Sequence, residues 1–106
     1  MSESEERSRI FAPDLLRGQV CLVSGAGSGI GRETALELAR LGATVAGCGR
    51  RIEPVEETAE MVEAIGGTGA AYACDIRDEE AVGEMIDSLL EAHGRLDTLV
   101  NNAGGQ

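Results

Sequence analysis

Lysine is missing altogether from this 106-residue chain; its nine basic residues are all arginine. That excludes a P-loop, whose GxxxxGK[ST] signature needs a lysine to reach the phosphates. Positive charge is scarce overall, with 19 acidic residues leaving a formal net charge of -10, so a nucleic-acid backbone or an anionic membrane surface would repel the chain. Long apolar runs are missing too. None approaches the roughly 20 residues of a membrane span, and the opening MSESEERSRI lacks the apolar segment of a secretory signal. Cys21, Cys48 and Cys74 have no CxxC spacing and lie in apolar runs, as small core residues of a reducing compartment do. No His, Cys, Asp and Glu set has metal-ligand spacing, so no metal site is expected. A cytoplasmic protein that partners neither nucleic acid nor membrane is the expectation.

What is present is a regular alternation. QVCLVS (19–24), TVAGC (44–48), AAYAC (70–74) and LDTLVN (96–101) read as strands, the second weakened by Gly47. Between them run three helical patterns. Arg32 to Leu41 would bury Ile30, Thr34, Leu38 and Leu41, and Pro54 would open a helix burying Val55, Ala59, Val62 and Ile65. Asp78 can cap a third, with Val82, Met85, Ile86 and Leu89 inward and Gly94 as its stop. The fold class is therefore α/β: a Rossmann-type doubly wound parallel sheet of about four strands and three helices. Residues 1–17 read as a flexible tail and 18–106 as the folded unit.

The loop after the first strand carries the chemistry. SGAGSGIG (24–31) places four glycines between a strand and a helix, where bare backbone N–H groups and the helix's roughly +0.5 charge can meet a phosphate or pyrophosphate. The spacing is GxxxGxG, at Gly25, Gly29 and Gly31; the ordinary GxGxxG fingerprint fails because Ile30 stands where its last glycine belongs.

This stretch resembles the short-chain dehydrogenase/reductase family, whose cofactor loop reads TGxxxGIG. Asp75, in ACDIRD, matches that family's acidic residue after the third strand, and Asn101-Asn102-Ala103-Gly104 matches its NNAG motif after the fourth. The resemblance implies that Gly25, Ser28, Gly29, Ile30 and Gly31 line the pyrophosphate and adjoining ribose of a nicotinamide dinucleotide. It places Asp75 and Ile76 at the adenine, with the Asp75 carboxylate accepting from the exocyclic amine. Asn101, Ala103 and Gly104 would pass near the nicotinamide ribose. The NNAGGQ end and the FAPDLLRGQV lead-in look more like the enoyl-CoA reductase branch than the 3-oxoacyl reductases.

NAD-binding Rossmann units put an acidic residue about 20 positions beyond the glycine loop. Here that position is Gly49, followed by Arg50 and Arg51. No carboxylate rejects a 2′-phosphate and two guanidiniums can bind one, each contact contributing about 1.5–3 kcal/mol. NADP is expected over NAD.

Family members act through a serine, a tyrosine and a lysine four residues beyond it. The one tyrosine here, Tyr72, is followed at that distance by Ile76, so no catalytic residue is assigned. Tyr72 is expected to pack in the third strand, and His93, near a helix end, is given no chemistry. The chain thus reads as the cofactor-binding half of an NADP-dependent oxidoreductase, a homo-oligomer when full length. A non-catalytic NADP(H)-binding module is the alternative.

Overall fold

The first apolar run becomes strand β1 (Val20–Ser24), buried at every residue. The computed structural model describes residues 14–102. Residues 1–13 and 103–106, Ala103 and Gly104 among them, lie outside the described residues. Three further strands, β2 (Thr44–Gly49), β3 (Thr68–Ala73) and β4 (Thr98–Val100), alternate with helices α1 (Gly29–Arg40), α2 (Ile52–Ala64) and α3 (Glu79–His93). All strand pairs are parallel, in the order β3-β2-β1-β4.

That order explains the burial of β1. It lies between β2 and β4, with α1 and α2 on one face and α3 on the other. Cys21 and Val23 pack with Ala35, Leu36, Ala39 and Val62, while Val20 and Leu22 pack with Met85 and Leu89. Leu22 and Leu89 have at most 1% of their surface exposed, and each contributes roughly 1.5–3 kcal/mol by leaving water. Gly47 does not break β2. A Cβ there would stand 2.9 Å from the Ala26 Cβ and 3.2 Å from Val55 Cγ1, so the glycine lets the loop and α2 close onto the sheet.

Several boundaries differ from expectation, each for a packing reason. Helix α1 begins at Gly29 and buries Gly31, Ala35, Leu36 and Ala39; Ile30, expected inward, is 75% exposed. A stripe of small residues brings this helix close to the sheet and turns the larger Ile30 out. Pro54 is the third residue of α2, not the first, still within the turn whose N–H groups have no helical partner. Helix α3 follows the sequence closely: the Asp78 carboxylate accepts from the Glu80 and Ala81 N–H groups, and Gly94 ends it in the left-handed conformation. Of the expected tail, residues 14–17 form a turn in which Leu16 donates its N–H to the Leu41 carbonyl at 2.8 Å and packs on the core. Among the described residues no helix is long and apolar enough to cross a membrane.

Candidate functional site

Parallel strands put all four carboxyl ends on one edge of the sheet. From β1 the chain steps outward to β2 and β3, then returns through α3 to place β4 on the other side of β1. The loops after β1 and β4 therefore flank the point where strand order reverses, the place where open α/β sheets bind ligands.

Gly25 and Gly29 hold φ values of 65° and 56°, a left-handed conformation open to glycine with little strain. They turn the chain from strand to helix. Gly31 is needed for a different reason. A Cβ on it would meet the Gly25 carbonyl group, 2.7 Å from its carbon, and stand 2.9 Å from Asn102 Nδ2. The turn can close only on a bare backbone.

The three helices among the described residues differ at their N-termini. Helix α3 has the Asp78 cap plus Glu79 and Glu80 in its first turn, and α2 has Glu53. Helix α1 has neither a side-chain cap nor an acidic residue: Ser28, at its N-cap, makes no capping hydrogen bond. No side chain of its own first turn offsets the positive end of its dipole.

Beside it opens a cavity of about 510 Å³ whose walls include Gly25, Gly27, Ser28, Arg50, Asp75 and Arg77. Arg51, Pro54 and Ile76 also line it, as do the buried Cys48 and Cys74. Burial pushes the Cys48 thiol up to about 11, helped by Cys74, and raises Cys74 as well. Both remain neutral thiols near pH 7. Three guanidiniums thus face one carboxylate, on a chain whose net charge is -10.

Asp75 is not open to a ligand on every side. Its Oδ1 accepts from the Arg77 N–H at 3.0 Å and from Arg77 Nε at 3.1 Å, and its Oδ2 accepts from Nη2 at 3.0 Å. The Arg77 side chain, then its N–H, and more weakly the charge of Arg50 hold the Asp75 carboxyl down to about 2. Ile76 sits half-buried beside it, against the α3 side of the core.

At the ends of β1 and β4, the Ser24 hydroxyl accepts the Asn102 N–H at 2.9 Å and donates to Asn101 Oδ1 at 3.1 Å. Of the residues singled out from sequence, Gly25, Ser28, Arg50, Arg51, Asp75 and Ile76 meet on the cavity. Gly29, Ile30 and Gly31 stand next to it in the first turn of α1, and Asn101 follows β4. Tyr72 packs in β3 against the α3 side of the core, as expected. Sequence reasoning passed over Arg77, although it stands two positions past Asp75. It also passed over Arg32 and Thr58, whose side chains donate to the Gly27 and Ala26 carbonyls of the loop.

The sequence model of the short chain dehydrogenase family matches residues 19–106. Dehydrogenase/reductase SDR family member 1 of Mus musculus is 43% identical over 89 residues, 83% of this chain and 28% of that protein. The peroxisomal 2,4-dienoyl-CoA reductase of Arabidopsis thaliana is 35% identical over 95 residues, 90% of this chain and 32% of its own length. Among solved structures, a citronellol catabolism dehydrogenase of Pseudomonas aeruginosa PAO1 matches with a TM-score of 0.87 at 50% identity, covering 90% of this chain and 40% of that one. A metagenomic short-chain oxidoreductase in complex with NADP gives 0.80 at 42% identity, over 84% of this chain and 40% of the other. An NAD+-bound xylitol dehydrogenase gives 0.81 at 42%, over 84% and 34%. The chain spans between 28% and 32% of the two curated relatives. A glycine turn at the switch point of a β3-β2-β1-β4 sheet is thus matched by relatedness along nearly the whole described chain, which belongs to the short-chain dehydrogenase family of oxidoreductases.

Proposed function

We propose that this chain is the NADP-binding part of an oxidoreductase that moves hydride between the nicotinamide and a carbonyl, alcohol or activated alkene. One observation carries the reading: α1 presents an uncapped, acid-free N-terminus to a cavity that Arg50 and Arg51 also line. Bare main-chain donors suit a diphosphate, and a forked guanidinium suits a phosphomonoester. The related structures include one in complex with NADP and one bound to NAD+, so the choice between the two rests on this chain's own residues.

NADP when bound supplies the hydride donor or acceptor. The chain's part is to hold and orient it. Gly25, Ser28, Gly29, Ile30 and Gly31 would take the diphosphate and its ribose, and Arg50 and Arg51 the 2′-phosphate. Asp75 and Ile76 would meet the adenine. Because Arg77 already forks onto Asp75, the exocyclic amine would share that carboxylate with it. Asn101, Ala103 and Gly104 would border the nicotinamide ribose. A dienoyl-CoA reductase among the relatives agrees with an enoyl-type substrate. The whole protein is assigned to the cytoplasm as a homo-oligomer acting on a small molecule.

The test is a titration followed by the fluorescence of the reduced nicotinamide. NADPH should bind at least about tenfold tighter than NADH, and Arg50→Asp should remove most of that difference. Equal affinities in the unaltered protein would refute the NADP assignment, and no binding of either would refute the dinucleotide site.

A further inference from the structure

We infer that Arg32 and Thr58, neither of which lines the cavity, are positioning residues that set cofactor affinity by fixing the direction of the peptide groups in the β1–α1 loop. This rests on the cofactor reading above. Thr58 lies on α2 with 2% of its surface exposed. Its Oγ1 donates to the Ala26 carbonyl at 2.6 Å and accepts from Arg32 Nε at 2.9 Å. Arg32 Nη2 donates to the Gly27 carbonyl at 2.7 Å and, more weakly, to the Pro54 carbonyl at 3.2 Å. Its Nη1 pairs with Glu57 Oε1 at 3.0 Å.

Two consecutive loop carbonyls are thereby tied to α2. In a planar trans peptide the N–H lies antiparallel to the carbonyl of the same unit. Fixing the carbonyls of Ala26 and Gly27 therefore fixes the N–H groups of Gly27 and Ser28, and both of those residues line the cavity. Without the brace these glycine-rich peptides could rotate, and the donors would have to be ordered again each time a diphosphate bound. Arginine suits the task because its rigid fork reaches two carbonyls, a hydroxyl and a carboxylate at once. Lysine's point charge cannot. Arg51 is the N-cap of α2, so the same brace sets how far the loop stands from the two arginines of the rim.

A role in general stability and a role in aiming the loop differ in which nucleotide they affect. Adenosine 2′-phosphate can use Arg50, Arg51 and the adenine side of the cavity but has no diphosphate for the loop. The experiment is calorimetric titration of NADPH and of adenosine 2′-phosphate against the unaltered protein, Arg32→Met, Thr58→Val and Thr58→Ser. Arg32→Met and Thr58→Val should each weaken NADPH binding about tenfold, while adenosine 2′-phosphate changes less than about twofold and Thr58→Ser restores NADPH affinity. Should Arg32→Met fail to fold, the contrast between Thr58→Val and Thr58→Ser decides. Unchanged NADPH affinity in the variants, or parallel losses for both nucleotides, would overturn the brace and leave the cofactor site standing. An unaltered protein that binds neither nucleotide would overturn the cofactor site and the brace with it.

Discussion

The Ser24 hydroxyl accepts the backbone N–H of Asn102 at 2.9 Å, across 78 positions of sequence. It joins the carboxyl ends of β1 and β4, the two strands that border the switch point. Ser24 is 1% exposed, so removing the oxygen leaves the Asn102 N–H without this partner where little water reaches. Ser24→Ala should cost about 1–3 kcal/mol in urea denaturation. Ser24→Thr keeps the hydroxyl and should stay within about 0.5 kcal/mol of the original. Equal stability of Ala and Ser at this position would show that the bond stitches nothing.

Gly31→Ala tests how tightly the turn is closed. Its new Cβ would press on the Gly25 carbonyl and on Asn102 Nδ2, and the colliding partner on the Gly25 side is backbone that cannot swing aside. The change should destabilise the fold by about 1–3 kcal/mol and abolish measurable NADPH binding. A thermal melt and a fluorescence titration would check both. Retention of full affinity would mean that the loop does not need its observed shape.

The pH dependence of binding should belong to the ligand. Asp75 is held down to about 2 by Arg77, so it stays ionised from pH 8 to pH 5 and contributes no change there, and arginines remain charged throughout. A phosphomonoester loses its second negative charge below about pH 6. NADPH affinity should therefore fall between about pH 7 and pH 5, while NADH affinity stays level. Parallel pH curves for the two would argue against a phosphate on Arg50 and Arg51.

Asp97 offers a separate test of how β1 is anchored. Its carboxylate accepts the Val20 N–H at 2.8 Å, and Arg95 forks onto it at 2.6 and 2.8 Å. Arg95 first, then the Val20 N–H, holds its carboxyl below the usual carboxylate range. A lowered folded-state value stabilises the fold fully above the unfolded value and loses that contribution as pH falls through the folded one. Urea midpoints measured downward from about pH 6 should drop less steeply below pH 4 in Asp97→Asn than in the original. Identical slopes would remove Asp97 from the acid response.

Much of this was legible in the residues. The run VCLVS is apolar on both faces because β1 is covered on both faces, and Asp78 capped its helix because capping is local chemistry within a few positions. The glycine-rich spacing and the paired arginines also pointed to residues that meet at the cavity, since both are residue types a sequence displays directly. Ile30 was misplaced because helical periodicity weighs large apolar residues, whereas α1 packs through Gly31, Ala35 and Ala39. Arg32 and Thr58 stayed hidden for another reason. They act on backbone carbonyls of the loop, and a carbonyl has no residue type to read. Only the approach of α2 in three dimensions shows that Thr58, 32 positions from Ala26, lies against it.

The most direct measurement is an amide nitrogen–proton NMR titration of the protein with NADPH. The largest shifts should fall on Gly25 through Gly31, with a second group at Arg50 and Arg51, as expected if the diphosphate rests on the start of α1 and the 2′-phosphate on the rim. Shifts that bypass Gly25 through Gly31, or a spectrum unchanged at saturating NADPH, would contradict the account.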